Sequence, residues 1–387
     1  MIFIFVFAAL ARDRFVFTIL YLFAGAYLFG RWWGRRSISN LKFSRSFDHY
    51  AFINEMITVK LNLTNSGWLP IVWLRVQDAL PIEISRTGSF RRVLSLGPKE
   101  SINLEYQLAA QRRGYYRVGP LNSLSSDLLG LAGDFRFEGQ PEYLTVFPRV
   151  IPFMTIRFPS SSPLGSLRHQ QPIFEDPNRP IGKRDYFAGD SLRRIDWKAT
   201  ASVGKLQVKL FEPSIDLQVV VFLNMNLLEY ETRYKTDATE LAVTTAASIT
   251  NWAIEHRLSV GLYAHASDAA DRNRTIGSML PNKGRSHLVR ILEVLARVQF
   301  DDLAPINDVL DQELVNLSWG TTLILITGMA DDTLFDVLYR YRKMGINVVL
   351  IVCGGISNYR EAEVKAGYYG IPFYLFNSEK DLDIWRR

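Results

Sequence analysis

The chain has 387 residues, of which 48% are hydrophobic and 22% are charged, as in a folded globular protein and unlike a disordered chain. This length predicts two or three domains, each large enough to bury its own core. The net charge of +6 is modest and the basic residues are scattered, so we expect no nucleic-acid partner. The single cysteine, Cys353, excludes an internal disulfide.

Two apolar runs predict a membrane anchor over residues 1–36. The first, Met1–Ala11, would reach only about 16 Å as a helix, at roughly 1.5 Å per residue. The second, Phe15–Phe29, is followed by two tryptophans and several arginines, which are typical of a membrane interface. The pattern leaves open whether the anchor is one spanning helix or a hairpin, and it disfavours a cleaved signal peptide.

The distribution of basic residues predicts the orientation of this anchor. Only Arg12 and Arg14 precede the second run, whereas five basic residues follow it: Arg31, Arg35, Arg36, Lys42 and Arg45. Basic flanks favour the cytoplasmic side, so we expect a cell-membrane protein whose soluble domains face the cytoplasm.

Residues 40–150 predict a small β-sandwich. Ile57, Val59, Leu61 and Leu63 alternate with polar residues, which is the period of a half-buried strand. Ile71–Val76 is a further predicted strand, with Trp73 in the core. Other short runs follow at Ile102–Leu108, Arg113–Pro120 and Tyr143–Phe147. Residues 151–180 are rich in Pro and Ser without periodicity, and they predict a linker.

Charged and aromatic residues are dense between Gly182 and Ala201. This signature contains Arg184, Asp185, Tyr186, Gly189, Asp190, Arg193, Arg194, Asp196, Trp197 and Lys198. We expect Asp190 to cap a short helix, with Arg193 and Arg194 as its ion-pair partners. Leu192, Ile195 and Ala199 would then form the buried face of that helix.

Residues 181–387 are predicted to form a doubly wound parallel sheet, so the fold class is α/β plus all-β. Continuous apolar runs indicate strands buried on both faces, and amphipathic segments between them indicate helices. The predicted strands are Leu217–Leu223, Leu258–Ala264, Thr321–Thr327, Ile346–Val352 and Phe373–Phe376. The predicted helices are Thr236–Arg257, Ser286–Val298, Asp331–Met344 and Tyr359–Gly367.

The run Arg184–Ala201 resembles the hallmark of the bacterial domain of unknown function 58 family. Arg112–Pro120 and Ser126–Leu131 resemble the segment that precedes this hallmark, and the order of anchor, β-domain and α/β domain agrees. The resemblance implies a membrane-anchored protein with a C-terminal von Willebrand factor A-like domain, commonly paired with a MoxR-type AAA+ ATPase. It brings no catalytic residue.

Von Willebrand A domains often bind Mg²⁺ through Asp-x-Ser-x-Ser and an Asp on another loop, oxygen ligands that suit this hard cation. Here Asn224 stands in place of the first Asp, Asn226 and Leu228 in place of the two serines, and Gly328 in place of the other Asp. Neutral amides offset little of the cost of dehydrating a divalent cation. We therefore expect these positions to be a degenerate site without metal, and we expect no cofactor.

The signature admits three interpretations: a clamp between domains through paired charges, a docking surface for a partner protein, or a catalytic site. No Ser-His or Cys-His nucleophile arrangement accompanies its carboxylates, and the chain has no phosphate-binding Gly-x-x-x-x-Gly-Lys loop. Docking requires Arg194 and Trp197 to be exposed, whereas a clamp buries them.

We therefore expect a non-enzymatic, protein-binding scaffold on the cytoplasmic face of the membrane. By resemblance, its partner is a MoxR-type AAA+ ATPase, and the pair would assemble or remodel cell-envelope complexes. Two alternatives remain open. One is a cell-envelope hydrolase that uses Asp185, Asp190 or Asp196, and the other is an extracellular adhesion module.

Overall fold

The computed structural model describes residues 14–85, 87–126, 133–154, 156, 175–213, 218–231, 233, 235–313 and 317–386. The chain forms two compact units. The first consists of Met1–Arg149, Asp268–Arg274 and Leu292–Val298, and the second of Val150–Ser267, Thr275–Ile291 and Gln299–Arg387. Two segments from late in the sequence thus belong to the first unit.

The first described element is helix α1 (Arg14–Ile38). Its residues Phe15–Ile38 are long and apolar enough to cross a membrane. The end of the helix packs on strands of the first unit: Ile38 lies in the core, and the indole Nε1 of Trp33 donates to the carbonyl of Pro70 at 3.2 Å. The apolar run Met1–Ala11 lies outside the described residues.

In the described part of the first unit, strands β1 to β10 form three sheets. The sheet orders are β1-β3-β6, β2-β10-β7 and β5-β4-β8-β9. The strands are β1 (Leu41–Ser46), β2 (Tyr50–Ala51), β3 (Met56–Asn65), β4 (Ile71–Ala79), β5 (Ser89–Leu96), β6 (Ser101–Ala109), β7 (Gly114–Val118), β8 (Leu121–Ser126), β9 (Asp134–Glu138) and β10 (Glu142–Val146).

Strand β3 supplies side chains to both cores of this unit, which confirms its predicted alternation. Ile57 and Val59 pack with residues of β7 and β10, while Leu61 and Leu63 pack with residues of β4. Trp73 was predicted in the core, but it is exposed. The β4–β5 register shifts between Ile71 and Leu74, and such a bulge turns both intervening side chains outward.

A buried ion pair and a late chain segment complete the first unit. Arg45 and Asp78 have no exposed side-chain surface, and a 2.7 Å contact joins them. Arg45 is therefore a core residue and contributes no charge at a membrane surface. Arg113 donates to the carbonyls of Leu295 and Val298 at 3.0 and 2.8 Å, which ties the segment Leu292–Val298 to this unit.

The second unit is built on a six-stranded sheet of order β17-β14-β13-β19-β20-β21. The five strands from β14 to β21 in this order are parallel, and β17 pairs antiparallel at one edge. The strands are β13 (Gln218–Asn224), β14 (Ser259–His265), β17 (Met279–Asn282), β19 (Thr322–Thr327), β20 (Asn347–Cys353) and β21 (Phe373–Phe376). A separate sheet of order β16-β15-β18 is formed by short strands that belong in part to the first unit: β15 (Ser267–Asp268), β16 (Asp271–Thr275) and β18 (Val298–Gln299).

Helices bury the central strands of this sheet. The α-helices that follow α1 in the chain are α2 (Trp197–Val203), α3 (Lys235–Glu255), α4 (Arg285–Arg297), α5 (Ile306–Glu313), α6 (Asp332–Lys343) and α7 (Tyr359–Tyr369). Helices α5, α6 and α7 share one apolar cluster with alternate residues of β13, β19 and β20, while α3 contacts β13, β14, β19 and β20. The molecule is thus mixed α/β with several smaller sheets, and each predicted strand and helix of this unit is present within a few residues.

Two predicted segments lie partly or wholly outside the described residues. Residues 157–174 of the predicted linker are outside them, whereas its last residues begin strand β11 (Glu175–Asp185). Residues 127–131, which carry part of the family resemblance, are also outside.

Candidate functional site

The signature contains the end of strand β11 and the connection to its antiparallel partner, and a short helix lies within that connection. Strand β11 pairs with β12 (Gln207–Pro213), with Lys183 opposite Lys209 and Asp185 opposite Gln207. Between the strands, Gly189 has φ 111°, which is a conformation that glycine tolerates best. Helix α2 ends at Gly204, which adopts the left-handed conformation common after a helix.

Asp190 does not cap a helix, contrary to the prediction. Its carboxylate instead forms a two-pronged ion pair with Arg184, at 2.6 and 2.7 Å, and accepts the backbone N–H of Phe187 at 3.0 Å. The hydrogen bonds from Arg184 and then from Phe187 lower the pKa of Asp190 to about 2. The prediction was wrong because the turn at Gly189 directs the carboxylate of Asp190 back toward β11. There it pairs with Arg184, which was not among its predicted partners.

Asp196 is the residue that caps helix α2. It accepts the N–H of Ala199 at 3.1 Å and pairs with Lys183 at 2.9 Å. These contacts, led by Lys183, lower the pKa of Asp196. Asp185 accepts a hydrogen bond from the side chain of Gln207. Because Asp190 and Asp196 hold a proton less readily than an ordinary carboxyl, neither is suited to general acid catalysis at neutral pH.

Much of the signature is exposed. Trp197 is 68% exposed and Leu192 is 67% exposed, so the prediction that Leu192 is buried was wrong. Ile195 and Ala199 are buried as predicted. We name the exposed group the signature surface: Phe187, Leu192, Arg193, Arg194, Trp197 and Lys198. The exposure of Arg194 and Trp197 meets the condition set for a docking surface.

The loop after β13 carries a second polar cluster, at the carboxyl end of the parallel strands. Sequence reasoning considered Asn224 and Asn226 but missed Glu229, which is only 7% exposed. Glu229 accepts the side-chain amide of Asn224 at 2.5 Å and that of Asn226 at 3.0 Å. It also accepts the backbone N–H of Ile306 at 2.9 Å. The signal in the sequence for such a carboxyl group was the pair of asparagines, because the side-chain N–H groups of Asn224 and Asn226 need acceptors.

This cluster does not fit a divalent cation. The amide oxygen of Asn224 accepts the N–H of Asn226, and that of Asn226 accepts the N–H of Leu228, so both oxygens are already engaged. A Cβ at Gly328 would overlap the ring of Tyr230, which leaves no room for an aspartate there. Within the described ranges, no group of three or more His, Cys, Asp and Glu side chains could hold a metal.

Cys353, at the end of β20, is fully buried. Burial raises the pKa of its thiol to about 12, because the charged thiolate is disfavoured away from water. It therefore lies in the core and is not activated as a nucleophile.

Comparison with known proteins places the signature within a family match. Residues 182–317 match the family described as "Protein of unknown function DUF58". The chain is also similar to "Uncharacterized protein YeaD" of Bacillus subtilis (strain 168), with 26% identity over 312 residues that cover 77% of this chain and 72% of that protein. The matched range contains the signature and the Asn224–Glu229 cluster.

Solved structures are similar only over parts of the chain. A CARDB domain from Pyrococcus furiosus is 18% identical, covering 27% of this chain and 86% of its own, with a TM-score of 0.20. A cohesin module from a Clostridium perfringens glycoside hydrolase is 11% identical, covering 27% of this chain and 96% of its own, with a TM-score of 0.22. Neither likeness carries an argument about fold or function.

Proposed function

We propose that this protein is a membrane-anchored, cytoplasm-facing scaffold whose signature surface binds a partner protein. The observation that carries the proposal is that side chains of the signature are exposed, while ion pairs hold the backbone that carries them. Phe187 and Trp197 present large apolar side chains to solvent beside Arg193, Arg194 and Lys198. Exposed aromatic and arginine side chains are the residues that most often dominate binding at protein interfaces.

The ion pairs beneath this surface favour binding over catalysis. Arg184–Asp190 and Lys183–Asp196 hold the turn and the start of α2, so the backbone that carries the surface is already ordered before association. Asp190 and Asp196 are each engaged by a cation, so neither is available as an acid for the hydrolase alternative.

The α/β unit is, in this proposal, a von Willebrand A-like domain that works without metal. Its support is the central parallel sheet with helices between successive strands, together with the resemblance of the signature. Glu229 accepts the side-chain amides of Asn224 and Asn226, so the asparagines at the degenerate metal positions are paired within the protein.

The proposed location rests on α1 and its basic end. Phe15–Ile38 is long and apolar enough to span, and the exposed Arg35 and Arg36 follow the apolar part. Positive residues favour the cytoplasmic side of the membrane, and this argument holds without the buried Arg45.

By family resemblance, the proposed partner is a MoxR-type AAA+ ATPase, and the pair would assemble or remodel cell-envelope complexes. The test is co-purification from detergent-solubilised membranes, followed by mass spectrometry. We expect the ATPase to be enriched with the wild-type chain and its recovery to fall at least about tenfold with Phe187→Ala/Trp197→Ala, a loss of interface hot spots.

Tyr368→Ala provides the matched control, because Tyr368 is an exposed aromatic residue of the same unit, on α7. Its recovery of the ATPase should equal that of the wild type. The proposal fails if wild-type membranes enrich no ATPase, or if the double variant retains it.

A further inference from the structure

The end of helix α1 has two opposite faces. Gly30, Gly34 and Ile38 are buried against the first unit. The other face borders an open concavity of about 410 Å³, lined by Leu28, Arg31, Trp32, Arg35, Arg36 and Ser39. Spacings of three and four residues place these side chains on one side of the helix. The concavity is therefore a basic surface with apolar members, fixed to a folded unit.

The arginines of this face are not needed to complete the helix. Its last carbonyls are satisfied by other groups: Ser37 Oγ donates to Gly34 O at 3.1 Å, Ser39 N to Arg35 O at 3.1 Å, and Asn40 Nδ2 to Arg36 O at 2.8 Å. Among the described residues, no carboxylate forms a salt bridge with any of the three. Three guanidinium groups thus line one concavity, and none of them has a salt-bridge partner among the residues that the structure describes.

Two tryptophans indicate the depth in the membrane at which this face of the helix would lie. The ring of Trp32 lies 6.4 Å from that of Trp68, which is on the loop between β3 and β4 and is 64% exposed. From Phe15 to Trp32 the helix rises about 26 Å, at 1.5 Å per residue, close to the roughly 30 Å of a bilayer's hydrocarbon core. Tryptophan prefers the boundary between hydrocarbon and headgroups. The concavity then lies among the headgroups.

We propose that this basic face binds the headgroup phosphate of an anionic phospholipid. Arg31, Arg35 and Arg36 supply planar donor groups that match phosphate geometry, while Trp32 and Trp68 pack on the glycerol and upper acyl region. This face favours a lipid with a net negative charge. Phosphatidylcholine also carries a positively charged choline, and no carboxylate that forms a salt bridge with these arginines in the described residues would balance that charge. The proposal rests on the membrane anchoring in the proposed function.

Native mass spectrometry of the full chain in detergent tests this proposal, since insertion direction plays no part in a micelle. An equimolar mixture of phosphatidylglycerol and phosphatidylcholine is added, and the bound lipids are counted. We expect the wild type to prefer phosphatidylglycerol at least fivefold. The variant Arg31→Gln/Arg35→Gln/Arg36→Gln should lose this preference, whereas Trp68→Ala should lower the binding of both lipids about twofold, because the glycerol and acyl region that it contacts is common to the two.

The matched control is Lys60→Gln/Arg91→Gln/Arg92→Gln, which removes the same charge from exposed positions on β3 and β5 of the same unit. It should keep the wild-type preference. Retention of the preference in the Arg31/Arg35/Arg36 variant would overturn the proposal. So would displacement of the lipid by millimolar glycerol phosphate, because the site would then bind free phosphate.

Alkaline carbonate extraction of membranes separates failure of this site from failure of the anchor. If the wild type stays in the membrane pellet but shows no lipid preference, only the headgroup site is wrong. If the wild type is released, the anchor and the headgroup site are both wrong.

Discussion

At the scale of single residues, the loop after β13 is organised by one buried acidic side chain. Glu229 receives three N–H donors, from Asn224, Asn226 and Ile306. These donors would each be left without an acceptor if the carboxyl group were removed. Asn224 and Asn226 thus have a structural role of their own in this loop.

Glu229→Ala should strongly destabilise the second unit. Each buried donor left unsatisfied costs about 1–3 kcal/mol, so we expect a loss of roughly 3 kcal/mol or more in the free energy of unfolding. Urea denaturation measures this loss. Glu231→Ala is the control, since Glu231 is exposed two residues further along and its removal should change stability by less than about 0.5 kcal/mol. Equal effects of the two substitutions would contradict the account.

The Arg184–Asp190 pair predicts a pH-dependent contribution to stability. The folded pKa of Asp190, about 2, lies below its ordinary value of 3.8. The contribution is therefore present above about pH 4 and is lost as the pH falls through 2. A carbon-13 titration of the Asp190 carboxyl should show a midpoint near 2 in the wild type. In Arg184→Gln the midpoint should move toward 3.8, and a wild-type midpoint already there would refute the pair.

At the scale of elements, α1 combines two environments in one helix. Near its start the side chains are mostly exposed, whereas at its end they join the core of the first unit. Gly34 allows this close approach, because a Cβ there would overlap the ring of Phe135 on β9. Nothing lies within 4 Å of the position where a Cβ of Gly25 would be.

The two glycines therefore give a matched pair of substitutions. Gly34→Leu should destabilise the first unit by about 1–3 kcal/mol, the usual cost of overpacking. Gly25→Leu should leave stability unchanged or slightly higher, because leucine is the better helix former. Thermal unfolding of the purified protein in detergent measures both. A larger loss for Gly25→Leu than for Gly34→Leu would rule out the described packing of α1.

Other elements show where the local sequence pattern predicts the structure correctly and where it does not. The alternation in β3 and the apolar run of β20 are visible in the sequence and are correct in the structure. The bulge in β4 has no such signal, because it depends on pairing with β5, and it reverses the prediction for Trp73. Strands β8 and β9 were not predicted, although Phe135 and Phe137 of β9 alternate with charged residues, because runs of five or six residues are short for a periodicity argument.

At the scale of the whole molecule, the proposed orientation makes a direct prediction. A fluorescent protein fused after Arg387 should fluoresce, and alkaline phosphatase at the same position should be inactive, because basic residues after α1 retain the chain in the cytoplasm. Active phosphatase would reverse the orientation and revive the extracellular adhesion alternative. Both fusions are assayed in intact cells.

The sequence by itself determined most helices and strands of this protein, and the position of its unusual signature. These features depend on periodicity and residue type over short stretches, which a single chain displays directly. Tertiary structure decided which charges pair. Glu229 meets the backbone of a residue 77 positions away, and Arg45 meets Asp78 across 33 positions. Partners so distant are set by how the strands are arranged, and no local pattern records them.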